Sequence, residues 1–260
     1  MSTIQSKTIV LLTGAYVSHH CWDEWKSYLT QKGFTTLAPP WPFKEQSAVI
    51  QRARHPDKQL ATLTLAQLLE HYIQIIGELP EKPVLIGHSF GGLLTQLLLN
   101  KGYGAAGVAI HSVPPQGVLP LEFNFYKSNA AALGLFSSAN TTYLRSFKSW
   151  QFAFTNGMTL EEQHRSYDFL VIPESRRTIR GALSSDGKVH FSAKQNPLLM
   201  LSGSEDHCIP ASLNYRNYKR YNNRESVVDY VNKKGRNHFV LGLPTWKEDA
   251  DFILAWLAKQ

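Results

Sequence analysis

The chain has 260 residues and a formal net charge of +7, a length that fits one α/β domain, or one domain with a large insertion, around a sizeable core. No apolar run approaches the ~20 residues that span a bilayer, which excludes a transmembrane helix. Two cysteines, Cys21 and Cys208, exclude a disulfide framework and suit a reducing compartment, while the basic balance favours anionic surfaces or substrates without naming a partner.

Residues 8–13 are a short apolar run and read as the first core strand. As a signal peptide the run is too short, and it leads straight into Thr13-Gly14-Ala15, so the expected location is the cytoplasm. Residues 20–32 carry Trp22, Trp25 and Leu29 at helical spacing and stop at Gly33. A strand over 34–38 follows, ended by Pro39-Pro40-Trp41-Pro42. Residues 64–79 place Leu65, Leu68, Leu69, Tyr72, Ile75 and Ile76 on one helical face. Strand 83–86, helix 93–101 and strand 105–111 come next. Alternating strands and helices predict a parallel sheet covered on both faces.

From 114 to 190 the pattern breaks, with prolines, glycines and a high density of aromatics. A structureless loop of that length is unusual in a compact domain, so a helical insertion over a pocket is expected there. The periodic pattern returns with strand 197–202, strand 227–231 and a last helix over 245–258. Between them, residues 215–224 interleave tyrosines with Arg216, Lys219, Arg220 and Arg224. Without a nucleic-acid fold signature they read as a surface helix, and no nucleic-acid partner is expected.

The most informative stretch is Gly87-His88-Ser89-Phe90-Gly91, a G-x-S-x-G pattern between a predicted strand and a predicted helix. That context turns a weak match into a nucleophile elbow: a strained turn lifts one serine hydroxyl to the top of the sheet, at the positive end of a helix. A serine hydroxyl needs a base within hydrogen-bond reach, and the base needs an orienting carboxylate. The chain order that accompanies this elbow is Ser, then acid, then His. Asp206, after the 197–202 strand, and His238, before the last helix, satisfy the order. Rivals are weaker: Glu205 faces away from its neighbour on an extended loop, Asp229 sits within a strand, and His207 abuts the acid too closely. His111, His164 and His190 remain conceivable bases. The developing oxyanion needs two backbone N–H donors. Phe90, after the serine, and Ala15, in the loop after the first strand, are the expected pair. Tyr16, His88, His111 and Trp150 are candidates for lining the pocket. His19-His20-Cys21 and His207-Cys208 match no paired zinc spacing, so no metal is expected, and the lysine and Ser/Thr of a phosphate-binding loop are missing.

With the elbow, Asp206 and His238 in place, the chain resembles the α/β-hydrolase superfamily, and within it bacterial serine hydrolases of unassigned substrate. The similar stretches are Gly14 to Trp25, Ala38-Pro39-Pro40-Trp41-Pro42, His55-Pro56-Asp57, the elbow itself and Gly203-Ser204-Glu205-Asp206-His207. The resemblance implies an α/β fold with a mostly parallel eight-stranded sheet, one antiparallel edge strand, flanking helices and a helical cap. It implies a core of residues 1–113 and 191–260, a cap of 114–190, and neither metal nor organic cofactor. Two positions depart from the superfamily pattern: Thr13 stands where a histidine usually precedes the oxyanion-loop glycine, and His111-Ser112 where an acid is frequent. The expected function is cleavage of a small to medium, apolar carboxylic ester through an acyl-enzyme on Ser89. A lyase, cyclase or acyltransferase on the same scaffold, or a ligand sensor with a vestigial site, are the alternatives.

Overall fold

The computed structural model describes residues 4–260. The first three residues of the expected core lie outside them. Six strands form the main sheet: β1 (Thr8–Leu12), β2 (Thr35–Leu37), β3 (Val84–His88), β4 (Ala106–Ile110), then β7 (Leu198–Gly203) and β8 (Val228–Lys233). The order is β2-β1-β3-β4-β7-β8, and every pairing is parallel. The described sheet therefore has six strands and not eight, with no antiparallel edge strand. Six is also the number of strand-like segments that the residues themselves carry; the larger count came from the resemblance alone.

Strand alternation divides the core. Val10, Leu12 and Leu85 face one side, with Leu68 and Tyr72 of α3 (Leu65–Gly77) and Leu94 and Leu98 of α4 (Phe90–Asn100). Ile9, Leu11, Ile86 and Val108 face the other, against Trp25 of α1 (Asp23–Gln31) and Ile253 of α10 (Trp246–Leu257). Helix α3 starts at a capping box, Thr64 with Gln67, which satisfies two of its free N-terminal donors. The basic, tyrosine-rich stretch starts in α9 (Ala211–Tyr218); Tyr218 and Tyr221 pack against the core, while Tyr215 stays exposed.

The short α2 (Ala48–Ala53) precedes α3. Between β4 and β7 the chain forms α5 (Phe123–Leu133), α6 (Phe147–Ala153), α7 (Leu160–Leu170) and α8 (Arg176–Gly181), with an antiparallel pair β5 (Thr142–Tyr143) and β6 (Glu174–Ser175). This segment is tied to the loop after β1: Ser18 N–H donates to Leu170 O at 2.9 Å and Ile172 N–H to Tyr16 O at 3.0 Å. Strand order reverses at β1 and β3, so the loops leaving their carboxyl ends open a crevice there. Ser89 stands at its edge.

Candidate active site

β3 ends at His88 and α4 begins at Phe90, leaving Ser89 alone in the turn with φ 57° and ψ −115°. A residue with a Cβ is strained there, and the neighbourhood holds it in place. Ser89 N–H donates to Ile110 O at 2.9 Å, while the N–H groups of Gly92 and Val113 both donate to Ser89 O at 3.0 Å. A Cβ on Gly87 would lie 2.0 Å from Gly91 O, and one on Gly91 would lie 1.9 Å from Leu12 O. The turn is this tight, and α4 rests this close to β1, because neither residue has a side chain.

Three side chains distant in sequence form one hydrogen-bonded line. Ser89 Oγ donates to His238 Nε2 at 3.0 Å, and His238 Nδ1 donates to Asp206 Oδ2 at 2.7 Å. All three are buried. Asp206 follows β7 and His238 follows β8, so neighbouring parallel strands deliver acid and base to the same end of the sheet. The carboxylate is fully engaged. Its Oδ1 accepts the amides of Cys208 at 2.8 Å and Ile209 at 2.7 Å, and its Oδ2 also accepts His111 Nδ1 at 2.7 Å.

Burial alone would raise the Asp206 pKa, but His238 and His111 hold it well below the usual carboxylate range. For His238, burial works against the charged form, and the Asp206 carboxylate outweighs it, so the imidazole pKa is raised. In the neutral form of His238 the ionised Asp206 fixes the hydrogen on Nδ1, and Nε2 is left as the acceptor facing Ser89. His88 packs beside this line, its Nε2 donating to His238 O at 2.8 Å. Burial, then the charges of His238 and His111, push its pKa well down and keep it neutral.

His111, Asp206 and His238 also offer three metal-ligand types within 4.8 Å of one another. Both Nδ1 atoms, however, direct their hydrogens at the shared carboxylate oxygen. The trio is organised as converging hydrogen bonds and not as a set of lone pairs around a cation. The rival groups lie elsewhere: Asp229 accepts Trp256 Nε1 at 2.7 Å, His207 Nδ1 contacts Phe152 O at 3.1 Å, and His164 stacks on Phe147 with centroids 4.0 Å apart. Glu205 accepts from Ser204 Oγ at 2.9 Å.

A cavity of about 330 Å³ opens at Ser89. Ala15, Tyr16 and Phe90 line it from the sheet side, and Val118, Phe125 and Leu133 are among those lining it from the 114–190 segment. Tyr16 borders the cavity directly, and the other expected lining residues, His88, His111 and Trp150, make contacts of their own. His88 is turned to the backbone of His238, and His111 is drawn towards Asp206. Trp150 lies behind the wall: it stacks on Phe154 at 4.4 Å and donates its Nε1 to Ser166 Oγ at 3.0 Å.

The loop after β1 touches the elbow, since a Cβ on Gly14 would sit 3.0 Å from Ser89 Cβ. Tyr16 holds a left-handed φ of 67°, and its N–H donates to Glu174 Oε2 at 3.4 Å. The same Glu174 oxygen is ion-paired with Lys44, and both side chains are buried. Thr13, standing where a histidine is usual, keeps a buried hydroxyl with no partner. Glu174, Lys44 and Arg145, a buried cation in the cavity wall, were not singled out from the sequence. The available signal was local: an acid directly after the apolar Val171-Ile172-Pro173.

A parallel sheet carrying a serine elbow at its switch point, with acid and histidine delivered by its last two strands, β7 and β8, defines an enzyme of the α/β-hydrolase class. The model of the Alpha/beta hydrolase family matches residues 9–248, and the chain belongs to that family. No curated protein sequence matches it. Among solved structures, an extracellular α/β-hydrolase from a Paenibacillus species is similar at 22% identity and TM-score 0.68, covering 95% of this chain and 98% of that one. A monoacylglycerol lipase of Paleococcus ferrophilus is similar at 18% identity and TM-score 0.67, covering 97% and 94%. Tomato methylketone synthase I, in complex with 2-tridecanone, is similar at 14% identity and TM-score 0.68, covering 98% of each chain. At such identities the likeness is one of fold. No helix among the described residues is long and apolar enough to cross a membrane.

Proposed function

We propose that the protein is a serine hydrolase that cleaves a carboxylic ester through an acyl-enzyme on Ser89. The observation that carries this reading is the continuous donor–acceptor line from Ser89 Oγ through His238 to Asp206, with Ser89 facing the cavity. His238 takes the serine proton as Oγ attacks the ester carbonyl, and Asp206 stabilises the imidazolium that results. His238 then gives that proton to the departing alcohol, and later serves as base for the water that releases the acid.

The oxyanion of each tetrahedral intermediate is assigned to the N–H groups of Phe90 and Ala15. Phe90 N–H belongs to the first turn of α4, where amides have no intrahelical acceptor. Ala15 belongs to the loop pressed against the elbow. Each such donor contributes about 3 kcal/mol to lowering the barrier. The 114–190 segment acts as the lid, and its aromatic and aliphatic side chains favour an apolar group on the substrate.

A fluorophosphonate probe tests the reading. Stoichiometric labelling that is lost in Ser89→Ala, together with turnover of p-nitrophenyl esters, supports it. Labelling without turnover across several acyl lengths moves the reading to a non-hydrolytic reaction on the same scaffold. No labelling at all removes the activated serine.

A further inference from the structure

The cavity wall is apolar at most positions, yet it contains one charged side chain among its described lining residues, Arg145. Arg145 is 1% exposed. Its guanidinium is held by neutral acceptors: Nη1 donates to Ser128 O at 2.8 Å and Ser149 Oγ at 3.1 Å, and Nη2 donates to Asn129 Oδ1 at 3.0 Å. No carboxylate among the described residues forms an ion pair with it, and Glu174, the buried acid of this region, is taken by Lys44. A guanidinium has five N–H donors. Those contacts leave Nε–H, which is buried without a partner, and one hydrogen of Nη2, on two neighbouring nitrogens of the fork.

Burying a cation without a counter-charge is costly, and the faces of Tyr16 and Phe154, 4.5 and 5.0 Å from the guanidinium carbon, offset only part of that cost. Tyr16 lines the same cavity, and its O–H is likewise buried and unpartnered. This wall therefore holds donors and positive charge in search of an acceptor. A neutral carbonyl can take one hydrogen bond there but leaves the charge uncompensated, whereas a carboxylate takes two parallel N–H donors and supplies the missing charge.

Position matters as much as chemistry. Phe154 contacts Arg145 on one hand and the His238 ring on the other, with centroids 4.6 Å apart in the second case. One aromatic ring, Phe154, thus touches both the guanidinium and the imidazole, and Arg145 and Ser89 line the same cavity.

We propose that Arg145 anchors a carboxylate carried by the substrate, so that this site takes an anionic ester, a half-ester of a short dicarboxylic acid being the simplest form. The proposal rests on the reading of Ser89 as the nucleophile for the reaction, but not for the binding.

The test compares monomethyl glutarate with dimethyl glutarate, which differ chiefly in one charge. Wild-type protein is expected to show roughly tenfold or greater preference for the half-ester in kcat/KM, as a charge-assisted pair implies. Arg145→Met should lower kcat/KM for the half-ester at least about tenfold more than for the diester. Arg145→Lys, which keeps the charge but not the fork, serves where the methionine variant fails to fold, and should also lose selectivity. Calorimetric titration of Ser89→Ala with the two esters reads binding without turnover. Selective binding of the half-ester, with no hydrolysis of either by wild type, keeps the anion subsite and removes the hydrolase reading. Turnover of p-nitrophenyl esters with no half-ester preference in binding or rate keeps the hydrolase reading and overturns the subsite.

Discussion

His111 and His238 share one oxygen: the Nδ1 of each lies 2.7 Å from Oδ2 of Asp206. The other carboxylate oxygen is held by two amides, so the group cannot rotate. His111 draws on charge that would otherwise act on His238 alone. Replacing it with phenylalanine should return that charge to His238, strengthen the imidazolium and move the acid limb of the kcat/KM profile to higher pH. The loss is expected to be about tenfold on the acidic side, the scale of one charge-assisted hydrogen bond, and to shrink as pH rises. A purely structural role for His111 would lower the rate equally at every pH, so the profile of His111→Phe against wild type decides between them.

Wild-type activity and stability should respond to pH in opposite senses above neutrality. The His238 pKa is raised through Asp206, and only neutral His238 can accept the serine proton. The acid limb of kcat/KM should therefore lie above the ordinary imidazole value of about 6.5. Stability linked to the same pair runs the other way. A raised histidine pKa contributes stability that is complete below the unfolded value and is lost as pH rises through the folded one. The depressed Asp206 pKa describes the same contact from the acid side, where stability is lost as pH falls below the ordinary carboxylate range. Thermal melts and initial rates recorded in the same buffers test both; an acid limb at or below about 6.5 would refute the assigned shift.

How much of this was legible in the sequence depends on the range of the contact. The elbow is written in adjacent residues: Gly87 and Gly91 flank Ser89, an apolar strand precedes it and an apolar helix follows. The four inner strands β1, β3, β4 and β7 are legible because a strand buried on both faces is a short apolar run, as in Val84-Leu85-Ile86, whereas the edge strands β2 and β8 are only partly buried. Asp206 and His238 stand out by chain order, since each follows a strand on the same side of the elbow. His111 was noticed at a strand end, but nothing local records that its ring turns to a carboxylate ninety-five residues away. Lys44, Glu174 and Arg145 lie further from reach still. Their partners come from separate loops and from the insertion, where no periodicity fixes which way a side chain points.

Lys44 and Glu174 make a prediction about the loop after β1. Lys44→Met leaves Glu174 buried and uncompensated, which should cost about 3–5 kcal/mol of stability and lower the melting temperature clearly. The double variant Lys44→Met with Glu174→Leu should recover most of that loss, because an apolar pair replaces a buried ionic one. Activity should not recover with it: the Tyr16 amide loses its acceptor, and the strained turn beside Ala15 loses an anchor. Melting curves and ester turnover on the three proteins separate the two effects. Full recovery of both would show that Glu174 acts on stability alone.

Gly91 and Gly92 are adjacent in the first turn of α4 but face different neighbours, and alanine at each should have unequal cost. At Gly91 the added carbon would meet Leu12 O at 1.9 Å, backbone of the inner strand β1, which cannot move without breaking the β1–β3 ladder. At Gly92 it would meet Ser112, with Cβ at 2.8 Å and Cα and Oγ at 2.9 Å. That neighbour is a small residue on the loop after β4, outside any strand ladder, although its Cα must shift too and Ser112 Oγ also accepts Gln96 Nε2 at 2.7 Å. Overpacking of a core position typically costs about 1–3 kcal/mol when neighbours can yield. Gly92→Ala should fall in that range and retain fluorophosphonate labelling. Gly91→Ala should exceed it, displace α4 from β1 and with it Ser89 from His238, and lose labelling even at temperatures where circular dichroism still reports a folded chain. Equal melting temperatures for the two variants would mean that the contact between α4 and β1 is looser than the 1.9 Å approach implies.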